Sequence, residues 1–467
     1  VNHMTDLFID CNQIVGKIKP LHGVNNGPVS YHFWIDTSRY YKEIGVPYIR
    51  LHDTDHPSQR MVDVRYIFKN FEADENDPAN YDFAFTDILM RKIKECGAET
   101  IYRLGASIEH TEKKYFVFPP EDFEKYARIC LNIIRHYNSG WANGFQYDLK
   151  YFEIWNEPDL YEKMWNGGTP EQYYEFYEIL AKLIKKEYPE SKIGGYAGCN
   201  AYCDEYFDGF FEHIKKTGAP IDFFTYHIYA DDVRDFVKLN EHVNRKLNAH
   251  GYPQLPVFLD EWNIFTGEFW ESIMGEGFEY NRKFLFERIK NEVGAAFCGA
   301  SLSLFQNLRI DAAMYYDGQP KMFWCGLFDL YGVPLKPYYP FVYFGDLYRK
   351  SNECFCMVGA SQKSSAMSFG AEHADSRTKG SGESSGIFAT AATDGKTAGV
   401  LLSNYEGLDT RVLLHFNGME KVRNIRIRTT DRFNTDRRDF VEEAGCVLPV
   451  ATPKNSVIYL EFDVNES

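Results

Sequence analysis

Between residues 20 and 340, short apolar runs alternate with longer amphipathic segments, and this alternation constrains the fold more than any other feature of the chain. It is typical of βα units that feed a parallel sheet. Strand-like runs are predicted at residues 21–24, 48–51, 99–104, 151–155, 192–194, 223–227, 257–260 and 312–315. Eight such runs predict an α/β protein with a (β/α)8 TIM barrel.

The segment from 170 to 188 has the clearest helix pattern. Pro170 follows the capping residue Thr169, and Tyr, Phe, Ile and Leu recur at intervals of three and four. Similar periodicity predicts further helices at residues 82–96, 120–137, 204–217, 232–250, 279–298 and 341–350.

The composition changes after residue 350. Residues 359–386 are rich in Ser, Gly and Ala, and β-like runs bounded by turn residues follow them. These runs lie at residues 387–392, 397–403, 410–416, 422–429 and 456–462. We expect an N-terminal β segment at 1–19 that joins a C-terminal β-sandwich at 351–467, with the barrel at 20–350 between them.

Charge and cysteine content exclude several classes of protein. The chain has 51 basic and 67 acidic side chains, so its net charge of −16 gives no overall attraction for nucleic acid or an anionic membrane. Its 10 Cys residues form no CxxC pair, which argues against a disulfide framework or a zinc site. Since no signal-like or membrane-spanning run is present, a cytoplasmic protein is expected unless a signal peptide was removed, and self-association is left open.

Two glutamates end predicted barrel strands, where barrel enzymes carry their reactive groups. Glu157 follows the fourth strand in Tyr-Phe-Glu-Ile-Trp-Asn-Glu-Pro-Asp, and Glu261 ends the seventh in Val-Phe-Leu-Asp-Glu-Trp-Asn. Glycoside cleavage needs such a pair, because one carboxyl protonates the leaving oxygen while the other attacks the anomeric carbon or activates water. The residues alone leave the distance between the carboxyls and their roles open.

These motifs resemble the clan of retaining barrel glycosidases, and in particular glycoside hydrolase family 39, the β-xylosidase and α-L-iduronidase family. The resemblance covers the barrel from about residue 20 to 340 and, more loosely, the sandwich. Asp260 and Trp262, the neighbours of Glu261, depart from the xylosidase pattern. The motifs that carry the resemblance are His22-Gly23-Val24-Asn25-Asn26, Phe152-Glu153-Ile154-Trp155-Asn156-Glu157-Pro158 and Thr225-Tyr226-His227-Ile228-Tyr229.

The resemblance implies roles for single residues. Glu157 would be the acid/base and Glu261 the nucleophile, with no metal and no other cofactor. Asn156 would donate a hydrogen bond to the sugar 2-hydroxyl. Arg50, His227 and Tyr229 would orient the nucleophile, and His52 would touch the terminal sugar. Three aromatic residues are candidate platforms for the sugar, and each is equally a candidate for a packed core ring: Trp165, Phe323 and Trp324.

The implied activity is exo-acting retaining hydrolysis that removes terminal β-D-xylose from an oligosaccharide by double displacement. An α-L-iduronidase-, β-glucosidase- or arabinosidase-like specificity stays open, and iduronate would need a cationic partner such as Arg309 or Lys321. A noncatalytic glycan-binding protein is the alternative from another class. The presence of both carboxylates argues against that alternative.

Two local patterns suggest other chemistry but have simpler interpretations. His52, Asp53, Asp55 and His56 are spaced closely enough to bind a divalent ion, yet a hydrogen-bonded rim of the site is the better interpretation. Residues 382–386 match the G-x-S-x-G string of serine hydrolases. That motif needs a strand and a helix around a strained turn, whereas this stretch is hydrophilic and rich in Ser and Gly.

Glu153 is a third carboxylate on the predicted fourth strand. It shares strand parity with Glu157 but lies deeper in the barrel, where a carboxylate needs a partner. We expect a structural ion pair with Arg103 or Arg50.

Overall fold

The computed structural model describes residues 3–30, 33–54, 60–264, 277–320, 323–359 and 386–464. Eight parallel strands close into a barrel in chain order. Numbered one to eight, they are Gly23–Asn25, Tyr48–Leu51, Glu99–Leu104, Tyr151–Ile154, Lys192–Gly198, Phe223–Tyr229, Val257–Asn263 and Ala312–Tyr315. Each overlaps a predicted strand, so the predicted (β/α)8 barrel is confirmed.

Helices connect the barrel strands. The predicted cap before Pro170–Glu187 is present as a capping box, in which the Thr169 hydroxyl accepts from the backbone N–H of Gln172 at 3.3 Å. The other α-helices are Ser38–Ile44, Val64–Ile67, Ala84–Cys96, Phe123–Ser139, Asp204–Thr217, Val233–Ala249, Glu279–Lys290, Glu292–Phe305 and Tyr338–Lys350. Short 3-10 segments occur at Pro78–Asn80, Trp141–Asn143 and Pro158–Lys163.

One helix prediction is wrong. The predicted continuous helix at 279–298 is two helices that meet at Asn291, whose backbone is extended with φ −111° and ψ −153°. The Asn291 side chain accepts a hydrogen bond from the N–H of Val293 at 3.1 Å. Asn291 thus caps the second helix and ends the first.

The two ends of the chain share a nine-stranded sheet. Its strands are His3–Lys17, Asn352–Val358, Ile387–Thr393, Thr397–Asn404, Thr410–Phe416, Lys421–Thr430, Arg437–Gly445, Val447–Thr452 and Ser456–Asp463. His3–Lys17 pairs antiparallel with Asn352–Val358 and parallel with Thr410–Phe416. Buried side chains from opposite ends of the sheet, such as Val422 and Leu448, belong to one apolar cluster, so the sheet folds over into a sandwich.

The sandwich packs against two barrel helices, Glu292–Phe305 and Tyr338–Lys350. Leu401 and Val457 project from the sheet into the barrel's apolar core. The Ser403 hydroxyl donates to the carbonyl of Ala296 at 2.7 Å in the same buried interface. The domain boundaries at 19/20 and 350/351 stay a prediction, because strand pairing does not show which unit folds alone.

Apolar and aromatic side chains fill the barrel at the amino ends of its strands. The rings of Phe223 and Phe258 lie 4.8 Å apart, and those of Tyr48 and Tyr151 lie 5.5 Å apart. The polar side chains of the barrel are therefore concentrated at the carboxyl ends. Within the described residues, no helix combines the length and apolar character needed to cross a membrane.

Candidate active site

A cavity of about 330 Å³ opens at the carboxyl ends of the barrel strands, where barrel enzymes carry their active sites. It is lined by His52, Asp53, Ile108, His110, Glu157, Leu160, Lys163, Cys199, His227, Ile228, Tyr229, Glu261, Tyr316 and Trp324. Both predicted catalytic glutamates are among these residues.

Glu157 lies where strand four turns into the 3-10 segment Pro158–Lys163. Its backbone is left-handed, with φ 41° and ψ 52°, a conformation that is costly for a residue with a side chain and that occurs often at functional sites. The N–H of Glu157 donates to the carbonyl of Ala197 at 2.9 Å, which holds this turn. Its carboxylate accepts from Nδ1 of His227 at 2.7 Å. The turn therefore presents the carboxylate to the cavity in one fixed position.

Glu261 lies on strand seven, next to His227 on strand six in the sheet register. Its carboxylate accepts hydrogen bonds from Nη1 of Arg50 at 3.1 Å and from the hydroxyl of Tyr229. Burial and the nearby Glu157 raise the pKa of Glu261 to about 7, whereas His227, Arg50 and Tyr229 act to lower it. Glu261 is thus a carboxyl poised to gain or lose a proton near neutral pH.

The two glutamates face each other across the cavity. One carboxylate oxygen of Glu157, one of Glu261 and a ring nitrogen of His227 all lie within 4.8 Å of one another. Two carboxyl groups this close can act on the two sides of a single bond, one as an acid and the other as a nucleophile.

Arg50 is the hub of the buried layer beneath the cavity. It is fully buried and forms ion pairs with Glu153 at 2.7 Å, Asp260 at 3.2 Å and Glu261 at 3.1 Å. The predicted ion pair of Glu153 with Arg50 is confirmed; Arg103 binds Asp63 instead, at 2.6 Å. This network fixes the orientation of the guanidinium that supports Glu261.

Two further predicted site residues lie at the edge of this layer. Asn156 is fully buried and its side-chain oxygen accepts from Arg50 at 2.6 Å, while its amide nitrogen has no hydrogen-bond partner within the described part of the chain.

His52 lines the cavity. Burial lowers the pKa of His52 well below its usual value, and the neighbouring Arg103, Arg50 and His227 lower it further. His52 therefore offers the cavity a neutral imidazole.

The three predicted aromatic platforms lie in different places. Trp324 lines the cavity, and its ring stacks on Tyr316 with 5.9 Å between centroids. Of the two alternatives for Trp165, the packed core ring is the one observed, because Trp165 is fully buried, donates to the Thr169 carbonyl at 3.0 Å and packs in the barrel core. Phe323 is 71% exposed and packs edge-on against Phe286, so its platform role stays a prediction.

Several residues of the cavity wall were not predicted from the sequence. Leu160 and Lys163 belong to the 3-10 segment directly after Glu157, a position that could have indicated them. Ile108, Cys199 and Tyr316 follow other barrel strands without a recognisable motif.

One residue suggested for iduronate binding lies away from the cavity, and several other suggested residues lie outside the described part of the chain. Arg309 does not line the cavity; its guanidinium donates to the carbonyls of Tyr252 and Leu255 at 3.0 and 2.9 Å. That candidate for an iduronate partner is therefore wrong. Lys321, Asp55 and His56, and residues 382–385 of the G-x-S-x-G string, lie outside the described residues.

A (β/α)8 barrel with two facing glutamates at the carboxyl ends of its strands is the arrangement found in the barrel class of glycoside hydrolases. The family model of glycosyl hydrolases family 39 matches residues 12–267, more than half of the chain. The chain therefore belongs to glycoside hydrolase family 39.

Individual relatives agree with this family. A β-xylosidase from Geobacillus stearothermophilus is 20% identical over 344 residues, which cover 66% of this chain and 63% of the relative. A β-xylosidase from Caldicellulosiruptor saccharolyticus is 28% identical over 244 residues, covering 47% of this chain and 46% of the relative. The chain thus matches about half to two thirds of the length of these curated relatives. The solved structure of a glucosidase from Croceicoccus marinus has the same fold, with a TM-score of 0.76, 19% identity and coverage of 99% of this chain and 100% of that chain.

Proposed function

We propose that this chain is a retaining exo-glycosidase, with Glu261 as the nucleophile and Glu157 as the general acid/base. The observation that carries the proposal is the approach of both carboxylates to within 4.8 Å. Retaining enzymes hold their two carboxyl groups about 5 to 5.5 Å apart, whereas inverting enzymes leave about 6.5 to 9.5 Å for a water molecule.

The surroundings of the two carboxylates support this division of roles. Two like charges this close favour a state in which the pair holds one proton. Glu261 accepts from Arg50 and from Tyr229, which stabilise its ionised form. The proposed mechanism places that proton on Glu157, because a general acid must be protonated before the reaction.

The reaction would then proceed in two steps. Glu157 gives its proton to the glycosidic oxygen while Glu261 attacks the anomeric carbon, so the carbon–oxygen bond to the leaving group breaks and a glycosyl ester forms. Glu157, now ionised, takes a proton from water, and the water oxygen attacks the same carbon and releases Glu261. Two inversions give net retention. The amide nitrogen of Asn156, which has no hydrogen-bond partner among the described residues, would donate to the sugar 2-hydroxyl in both steps.

The sugar we propose is a terminal β-D-xylose or a similar pyranose. The two curated relatives named β-xylosidases support this choice. Lys163 on the cavity wall favours a second candidate, a uronic acid glycoside, because a lysine ammonium can pair with a sugar carboxylate.

A panel of aryl glycosides tests the proposal. Release of the chromophore from the β-D-xyloside, β-D-glucoside, α-L-arabinofuranoside and α-L-iduronide would rank the sugars. Proton NMR of the first product from the best substrate would show the same anomer as the substrate. The Glu261→Gln variant, purified in parallel, controls for contaminating glycosidases. An inverted first product would overturn the retaining assignment.

A further inference from the structure

His227 lies between three carboxylates in the buried layer under the cavity. Its Nδ1 atom is 2.7 Å from an oxygen of Glu157 and 3.6 Å from an oxygen of Glu261. Its Nε2 atom is 3.3 Å from Oδ1 of Asp260. The imidazole is almost completely buried, so no bulk water can stand in for these partners.

This arrangement determines the protonation state of the ring. A neutral imidazole has one N–H and one lone pair, so it would direct a lone pair at an anionic oxygen on one side or the other. The cation has N–H groups on both sides and meets a carboxylate with each. The geometry alone therefore favours a cationic His227.

Asp260 is the carboxylate that completes this arrangement. Asp260 is fully buried. Among the described residues, no other group forms a hydrogen bond with Nε2 of His227 or with Oδ1 of Asp260, so these two atoms are available to each other. The carbonyl of Asp260 accepts from the Asn25 side chain at 2.9 Å, and its Oδ2 pairs with Arg50 at 3.2 Å. Asp260 is thus held in place from two sides, with Oδ1 directed at the ring.

We propose that Asp260 is a positioning residue that keeps His227 cationic and directs its Nδ1–H at Glu157. The inference rests on the proposed role of Glu157 as the acid/base. A cation beside Glu157 stabilises its carboxylate form, which must accept a proton from water in the second step. Asp260 thus acts through His227 on a group that it does not touch.

Other charges face His227 from the neighbouring strands. Arg50 on the second strand opposes its positive charge, and Glu153 on the fourth strand supports it, whereas the neutral His52 adds no charge. Burial lowers the pKa of His227, but Glu261, Asp260 and Glu157 outweigh burial and raise that pKa well above its usual value. Without Asp260, Nε2 would lose the carboxylate that lies 3.3 Å from it.

The Asp260→Asn variant separates charge from packing. Its side-chain amide can donate to a neutral Nε2, so the ring keeps a partner while the charge is removed. Nitrogen-15 NMR of the histidine-labelled protein reads the protonation state of the ring, and the signal that is lost in His227→Gln identifies His227. We expect a cationic His227 in the native enzyme and a neutral ring in Asp260→Asn. We also expect the basic limb of the pH profile of kcat/KM to move up by about one pH unit, since Glu157 loses the neighbouring cation.

The matched control is Asp63→Asn, which removes another buried carboxylate from an arginine pair but has no contact with His227. We expect its basic limb to stay in place. A ring that remains cationic in Asp260→Asn, or a limb that moves down, would overturn the role of Asp260. A neutral ring with an unmoved limb would leave the effect of Asp260 on His227 intact and would count against Glu157 as the acid, and so against the proposed function.

Discussion

At the scale of single residues, the proposed nucleophile is Glu261, whose carboxylate lies within 4.8 Å of that of Glu157. We expect Glu261→Ala to lose activity on the order of 10⁴-fold or more, because the covalent step disappears. Azide or formate should restore part of that activity, since a small anion can enter the space beside Arg50 and attack the same carbon. Release of an aryl leaving group, with and without azide, measures both effects.

Glu157→Ala provides the contrasting variant. Because protonation matters most for a basic leaving group, this variant should lose far more activity on alkyl or sugar leaving groups than on activated aryl glycosides. Full activity in Glu261→Ala, or equal losses on both kinds of substrate in Glu157→Ala, would contradict the assignment.

The pH dependence belongs to the same scale. A protonated Glu261 cannot attack, so activity should fall as the pH drops through its pKa of about 7. The Tyr229 hydroxyl donates to Glu261 and favours its ionised form, so Tyr229→Phe should raise that pKa and move the acidic limb of kcat/KM to higher pH. The control is Tyr316→Phe in the same cavity, whose hydroxyl donates to Asp53. A limb that moves equally in both variants would show that Tyr229 has no specific effect.

The sequence predicted carboxylate positions better than aromatic ones. Strand parity placed Glu153 on the inner face of the barrel and left Arg103 or Arg50 as its partner, and the structure shows Arg50. Trp165 follows the 3-10 segment, where no such rule holds, and its ring turns back to within 5.2 Å of Trp155. The contact of Asp260 with His227 depends on the orientation of a ring, which no spacing of residues encodes.

At the scale of elements, the contact between helix Glu292–Phe305 and the sandwich depends on a glycine. A β-carbon added at Gly299 would lie 3.1 Å from the Cβ of Ser403 and 3.2 Å from a methyl group of Val457. The larger side chain in Gly299→Val should therefore force the helix and sheet apart and lower the free energy of unfolding by about 1 to 3 kcal/mol. Thermal and urea unfolding would measure this loss.

Gly299→Ala is the graded control for that variant. A single methyl group needs a shift of only a few tenths of an ångström, and alanine also favours the helix, so its effect should be smaller than that of valine. An equally stable Gly299→Val protein would show that the interface is loosely packed.

The barrel strands were predictable from their apolar pattern, whereas several strands of the sandwich were not predicted. All eight barrel strands are buried runs and were found. The strand Arg437–Gly445 was missed because most of its side chains are exposed, so no alternation of apolar and polar residues marks it. The break at Asn291 was missed because Glu279–Lys290 and Glu292–Phe305 follow one another with no glycine or proline at the junction.

At the scale of the whole molecule, the sandwich joins the two ends of the described chain. Leu7 pairs with Val358 across the sheet, and the sheet in turn packs on two barrel helices. A β-like segment at the start of the sequence suggested such a pairing, but its partner strands Asn352–Val358 and Thr410–Phe416 could not be chosen from local patterns. Pairings this distant depend on the assembled barrel.

The cavity leads to the last prediction, which concerns where the enzyme cuts. Its volume of about 330 Å³ is at the lower end of ligand pockets, and Arg50 with its ion pairs closes it from below. We expect one terminal sugar to fill it, with the rest of the chain directed outward past Trp324. Chromatography of a xylo-oligosaccharide reduced at its far end should show free xylose from the first minutes and alditols shortened by one unit at a time. An early accumulation of fragments of intermediate length would instead show an endo-acting enzyme with an open cleft.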